Sequence, residues 1–134
     1  MKVDQAVFLV GGFGTRLGTL TASSPKPALN VAGKPFIEHL LGEASRHGFR
    51  KALLLCGYRA ADLKDAYDGR VFAGMAVEVA VENEPAGTAG ALVVSGGRLD
   101  DVFFLVNGDS FFDFNWLALP SYEAGDTPWI ARMV

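Results

Sequence analysis

The 134 residues predict an α/β layered fold built on a mainly parallel sheet. Short apolar runs recur at Gln5–Val10, Lys51–Cys56, Met75–Val81 and Val102–Val106. Stretches with helical spacing lie between them, and most runs are closed by glycine. Strands that alternate with helices bury a parallel sheet between helical layers.

Gln5–Val10 is stopped by Gly11-Gly12 and reads as a buried strand. Gly11–Gly33 then carries five glycines, two prolines and a Thr/Ser cluster with little periodicity. It reads as a long loop, and long ordered loops in compact domains tend to be functional. Pro35 opens a helix running to about His47, with Phe36, Ile37, Leu40, Leu41 and Ala44 on its apolar side and Gly48 after it. Lys51–Cys56 is the second strand. Ala60–Tyr67 is a short helix whose Asp62, Lys64 and Asp65 face water. Met75–Val81 alternates and is β-branched, as a strand should. Glu82–Gly87 is a polar turn, and Thr88–Ser95 a helix of small residues. Val102–Val106 is a strand broken by Asn107-Gly108. Asn115–Ala124 holds a short helix interrupted by Pro120, and Trp129–Val134 opens another strand.

Composition narrows the class. Twelve Lys+Arg against fifteen Asp+Glu give a net charge of −3, which excludes a broad cationic surface for nucleic acid. Half the residues are hydrophobic and 20% are charged, which excludes a disordered chain. Cys56 is the single cysteine and cannot form an internal disulfide. No apolar stretch approaches the roughly 20 residues that cross a bilayer. Met1–Asp4 carries no signal-peptide pattern. The expectation is one cytoplasmic domain with no nucleic-acid and no membrane partner.

Unusual chemistry gathers at strand ends, where open α/β sheets bind ligands. Gly11-Gly12-Phe13-Gly14-Thr15-Arg16-Leu17 follows the first strand. Glycines let backbone N–H groups approach phosphate oxygens, and the Arg16 guanidinium matches them with a planar fork. No Lys-Ser/Thr follows the glycines, so this is not a Walker A loop, and Leu17 breaks the Rossmann spacing. The bland alternative is a turn with an exposed arginine. Lys26 stands between Pro25 and Pro27 on the same loop, as a cation on a stiffened segment or as a plain surface lysine. Lys34 reads as solvated. Val106-Asn107-Gly108-Asp109 ends an apolar strand in a carboxylate, a natural seat for Mg²⁺ and equally the site of an Asx turn. Asp113 reads as the N-cap region of the following segment.

Together these residues resemble the sugar-phosphate nucleotidyltransferases, or sugar nucleotide pyrophosphorylases. The resemblance runs through Leu9–Leu17, Pro25-Lys26-Pro27, Val31–Pro35, Glu84–Ala91 and Asn107-Gly108-Asp109, about 100 residues in all. Val10 departs from the family's usual alanine. The likeness is nearest to the branch that uses GTP with heptose 1-phosphate or mannose 1-phosphate. It implies a Rossmann-like three-layer sandwich of the glycosyltransferase-A-like nucleotidyltransferase type, with a mixed, mainly parallel sheet. It also implies a reaction of a nucleoside triphosphate with a sugar 1-phosphate to give a nucleotide-sugar and pyrophosphate. Arg16 would hold the leaving phosphates, Lys26 would bridge both substrates, and Asp109 would carry Mg²⁺. Leu9, Gly11, Gly12, Gly14 and Thr15 would bind the nucleotide, and Glu82, Gly87 and Thr88 would lie against its base. Members are considerably longer, so the chain is expected to be the nucleotide-binding N-terminal part of one nucleotidyltransferase domain. A homo-oligomer is compatible with the resemblance. Transfer to an aminosugar or non-sugar phosphate, or a regulatory module that binds nucleotide without catalysis, are the competing readings.

The remaining candidates read as structural. His39 and His47 lack a third ligand for zinc. Cys56 belongs to the core. Phe103, Phe104, Phe111, Phe112, Phe114 and Trp116 read as packing around a buried strand, and Asp100-Asp101 as a solvated turn.

Overall fold

A computed structural model describes residues 2–10, 29–57, 60–83, 87–111 and 113–118. Its elements, in order, are β1 (Gln5–Leu9), β2 (Asn30–Val31), β3 (Lys34–Pro35), α1 (Phe36–Arg46), β4 (Lys51–Cys56), α2 (Ala61–Tyr67), β5 (Arg70–Phe72), β6 (Met75–Val81), α3 (Gly87–Val94) and β7 (Phe103–Asn107). A 3-10 turn over Trp116–Ala118 follows.

The main sheet runs β5-β6-β4-β1-β7. β6, β4, β1 and β7 are parallel, and β5 is antiparallel to β6. Alternation along the strands divides the core. Ala6, Phe8, Ala52, Leu54, Val77 and Val79 face α1 and α2, meeting Ile37, Leu40, Leu41 and Leu63. Val7, Leu53, Leu55 and Ala80 face α3, meeting Ala91 and Leu92. The result is three layers. From β1 the chain steps to β4 and then β6 on one side, and from β6 it returns by way of α3 to β7 on the other side of β1. Crossovers keep one hand, so reversing the direction of travel puts α3 on the opposite face.

Several expectations are corrected. The loop reading over Gly11–Gly33 misses β2, which pairs with β3 in a small hairpin. The cap of the 3-10 turn is Asn115, whose Oδ1 accepts from Leu117 N at 3.1 Å. Asp113 instead lies exposed, 3.9 Å from Arg46. Asp100 is only partly solvated, because Lys51 Nζ reaches its two carboxylate oxygens at 2.8 and 3.0 Å. Of the aromatic cluster, Phe104, Phe114 and Trp116 join the α1-side core and Phe103 the α3-side core, while Phe111 is exposed. Phe112 and the strand expected at 129–134 lie outside the described residues. Among the described residues, no helix is long and apolar enough to cross a membrane.

Candidate active site

Ligand crevices of open α/β sheets form at the carboxyl ends of strands, where the strand order reverses. Here the reversal falls at β1, between β4 and β7. The glycine-rich segment at 11–18 leaves β1 at that point. Its candidates Gly11, Gly12, Gly14, Thr15 and Arg16 lie outside the described residues, as does Lys26. The other candidates are described.

The carboxyl ends of β1 and β7 are fastened together. Register pairs Leu9 with Asn107. Beyond the ladder, Gly108 N–H donates to the Leu9 carbonyl at 2.8 Å. A Cβ at position 108 would lie 2.7 Å from that carbonyl oxygen and closer still to Val10 Cγ1. Only glycine permits this approach. It sets the following residue, Asp109, at the end of β1 where Leu9 and Val10 lie. The Asp109 carboxylate is exposed and accepts from Ser110 Oγ at 2.9 Å. A carboxylate supplies the hard oxygen that Mg²⁺ takes, and Mg²⁺ needs only one or two protein carboxylates beside substrate phosphates and water. Among the described residues, no group of three or more His, Cys, Asp or Glu could hold a metal ion. His39 is instead tied to the β2–β3 hairpin, its Nε2 2.7 Å from the Val31 carbonyl oxygen. His47 stacks on Trp116 with centroids 5.5 Å apart.

At the other end of the crevice, β6 delivers Glu82. Its backbone N–H donates to the Cys56 carbonyl at 2.8 Å, extending the β4–β6 ladder by one step. Its Oε1 is buried without a hydrogen-bond partner among the described residues. A buried carboxylate oxygen left in that state costs free energy, and a donor from a ligand would remove the cost. α3 begins nearby at Gly87, which takes φ +70°, with Thr88 exposed in its first turn and no acidic residue there. The N–H groups of that turn give the helix end a partial positive charge. Glu82 and Asp109 thus sit on strands three spacings apart, about 14 Å.

Sequence reasoning singled out Asp109 and Glu82, and the structure puts both on the same edge of the sheet. It missed the part played by Gly108, whose signal was a glycine placed between an apolar strand and a carboxylate.

Residues 5–122 match the family model for nucleotidyl transferases. The chain is 32% identical over 120 residues to a D-glycero-alpha-D-manno-heptose 1-phosphate guanylyltransferase of Campylobacter jejuni, covering 90% of this chain and 54% of the relative. It is 39% identical over 109 residues to a mannose-1-phosphate guanylyltransferase of Mycobacterium tuberculosis, covering 81% of this chain and 30% of the relative. In structure it resembles the HddC protein of Yersinia pseudotuberculosis, solved in complex with GMP-PN. That likeness has a TM-score of 0.75 at 30% identity, over 88% of this chain and 53% of HddC. The chain therefore spans about half the length of the heptose-phosphate relative and of HddC, and less of the mannose-phosphate one. Its α/β fold is that of the nucleotidyltransferases. With nearly its whole length matched, the chain belongs to the nucleotidyl transferase family.

Proposed function

We propose that the chain is the nucleotide-binding half of a sugar-1-phosphate nucleotidyltransferase that takes GTP with Mg²⁺. The observation that carries this reading is the buried Glu82 oxygen, without a partner among the described residues, on the same strand edge as Asp109 and the exit of β1. Guanine presents N1–H and N2–H₂ side by side, and one carboxylate accepts both. Uracil and thymine offer one imide N–H. The guanylyltransferase names of the similar proteins support the same base and a heptose or mannose 1-phosphate as acceptor.

In such a reaction a phosphate oxygen of the sugar 1-phosphate forms a bond to the α-phosphorus of the triphosphate. The bond from that phosphorus to the bridging oxygen breaks, and pyrophosphate leaves with the electron pair. No protein nucleophile is needed, so the residues act by orienting substrates and offsetting charge. Glu82 would fix the base, and the backbone at Gly87 and Thr88 would support it. Leu9 would floor the crevice between base and phosphates. Asp109 would hold Mg²⁺, which when bound offsets phosphate charge. By the family resemblance, Gly11, Gly12, Gly14 and Thr15 would offer backbone donors to the phosphates. Arg16 would bind the leaving pyrophosphate, and Lys26 would bridge the substrates.

Competition among GTP, ATP, CTP, UTP and dTTP for the 134-residue chain with Mg²⁺ tests the reading. GTP should win, and Glu82→Gln should weaken it by roughly 10–100-fold, the value of a charge-assisted hydrogen bond. A preference for UTP, CTP or dTTP overturns the guanine assignment. Failure to bind any triphosphate overturns the whole reading.

A further inference from the structure

β7 ends in an amide where its pattern calls for an apolar residue. Phe103, Leu105 and Asn107 share the α3 side of the strand by alternation, while Phe104 and Val106 pack on the other side. Asparagine is a poor strand former, and a leucine would continue the pattern. Asn107 is exposed, and among the described residues its side chain makes no hydrogen bond.

Its position gives the amide a use. Register sets Asn107 beside Leu9, Leu9 beside Leu55, and Leu55 beside Ala80. Two residues beyond Ala80, on the same face by alternation, stands Glu82. The α3 side of the carboxyl edge is thus a shelf with a carboxylate at one end and an amide at the other. Apolar Leu55 and Leu9 lie between them. End to end it spans three strand spacings, about 14 Å. A nucleoside laid along the edge between these two side chains is of comparable length. A base held at Glu82 would carry its ribose over Leu9 toward Asn107.

We propose that Asn107 is a specificity residue that reads the ribose of the bound nucleotide. This rests on the nucleotide-binding reading above. A hydroxyl both donates and accepts, and the asparagine amide offers the matching pair, a carbonyl oxygen and an NH₂ group. An acceptor sugar also carries hydroxyls, so the test is run with nucleotide alone.

Calorimetric titration of the 134-residue chain with Mg²⁺ and GTP, 2′-deoxy-GTP or 3′-deoxy-GTP provides the measurement. The unsubstituted chain should prefer GTP over at least one deoxy analogue by roughly 5–20-fold, the worth of one good hydrogen bond. Asn107→Leu should bring that ratio to about one while leaving affinity for the deoxy analogue within about twofold. Leucine suits the strand, so the melting temperature should hold or rise, and loss of binding through misfolding would be visible there. An unchanged GTP-to-deoxy ratio in Asn107→Leu overturns the proposal while leaving nucleotide binding intact. So does an equal loss for all three ligands, which would put the amide's role on edge packing or on a part of the nucleotide that all three share. If Asn107→Leu fails to fold, Asn107→Ala is read by the same ratio. Absence of binding by the unsubstituted chain overturns the function reading and this one with it.

Discussion

Gly108 and Asp109 are adjacent in sequence and differ in what they fear from mutation. Gly108→Ala forces a methyl group toward the Leu9 carbonyl and Val10, both fixed by the sheet. Overpacking of this kind costs about 1–3 kcal/mol, so the urea midpoint should fall and nucleotide affinity with it. Asp109→Asn removes a charge from an exposed position and should leave the urea midpoint within about 0.5 kcal/mol. Its effect should appear in the Mg²⁺ titration of nucleotide binding, with the midpoint moved to higher metal, because Mg²⁺ favours carboxylate over amide oxygen. An unmoved midpoint would make Asp109 a turn residue only. The place of Asp109 just past a strand end was legible, because the apolar run stops at Val106 and a glycine turn follows. The Gly108 contact was not, since it depends on which strand becomes the neighbour of β7. Nothing local says that the neighbour is β1.

Elements were read well where apolar periodicity was strong and poorly where a pair of residues sufficed. β1, α1, β4, α2, β6, α3 and β7 all follow apolar runs or helical spacings visible in the sequence. β5 escaped. It has three residues, Val71 is 72% exposed, and its turn to β6 is Ala73-Gly74 rather than Asn-Gly. Both turn residues take positive φ, +48° at Ala73 and +80° at Gly74, as a type I′ hairpin demands. Alanine pays strain there that asparagine largely avoids. Ala73→Asn should therefore raise stability by about 0.5–1 kcal/mol, read as a higher urea midpoint at unchanged slope. The Ser45 hydroxyl, which donates to the Ala73 carbonyl at 2.7 Å, is unaffected by the exchange. A lowered midpoint would mean that the turn tolerates alanine without strain. The same signal hid β2 and β3, whose turn is Ala32-Gly33.

The molecule as a whole should weaken in alkali. Cys56 closes β4 inside the core, and burial pushes its thiol from the ordinary 9.0 up to about 12. The folded state then holds a proton that the unfolded chain releases above pH 9. Stability from this group is complete below pH 9 and declines as pH rises toward 12, by up to about 1.4 kcal/mol per pH unit. Tyr67 shifts upward too, through burial and its hydrogen bond to Glu38, and adds to the decline above its ordinary 10.0. Urea titrations at pH 8.5 and 10 should show the loss, and Cys56→Ala should flatten it despite a lower starting stability. Equal slopes for both chains would place the thiol in contact with water.

Far from the crevice, at the amino-terminal end of the sheet, buried Gln5 accepts from Asp100 N at 2.8 Å and donates to the Arg98 carbonyl at 2.7 Å. That amide stitches the α3–β7 connection to the first residue of β1. Its contacts hold the segment that leads into β7, the strand that Gly108 joins to β1 at the opposite end. β1 and β7 are therefore pinned like a plank nailed at both ends, and neither strand can slide by a residue against the other. A nucleotide bound as proposed at Leu9 and Asn107 would meet a surface whose spacing was settled before it arrived. Affinity at that edge need not be diluted by a search among registers.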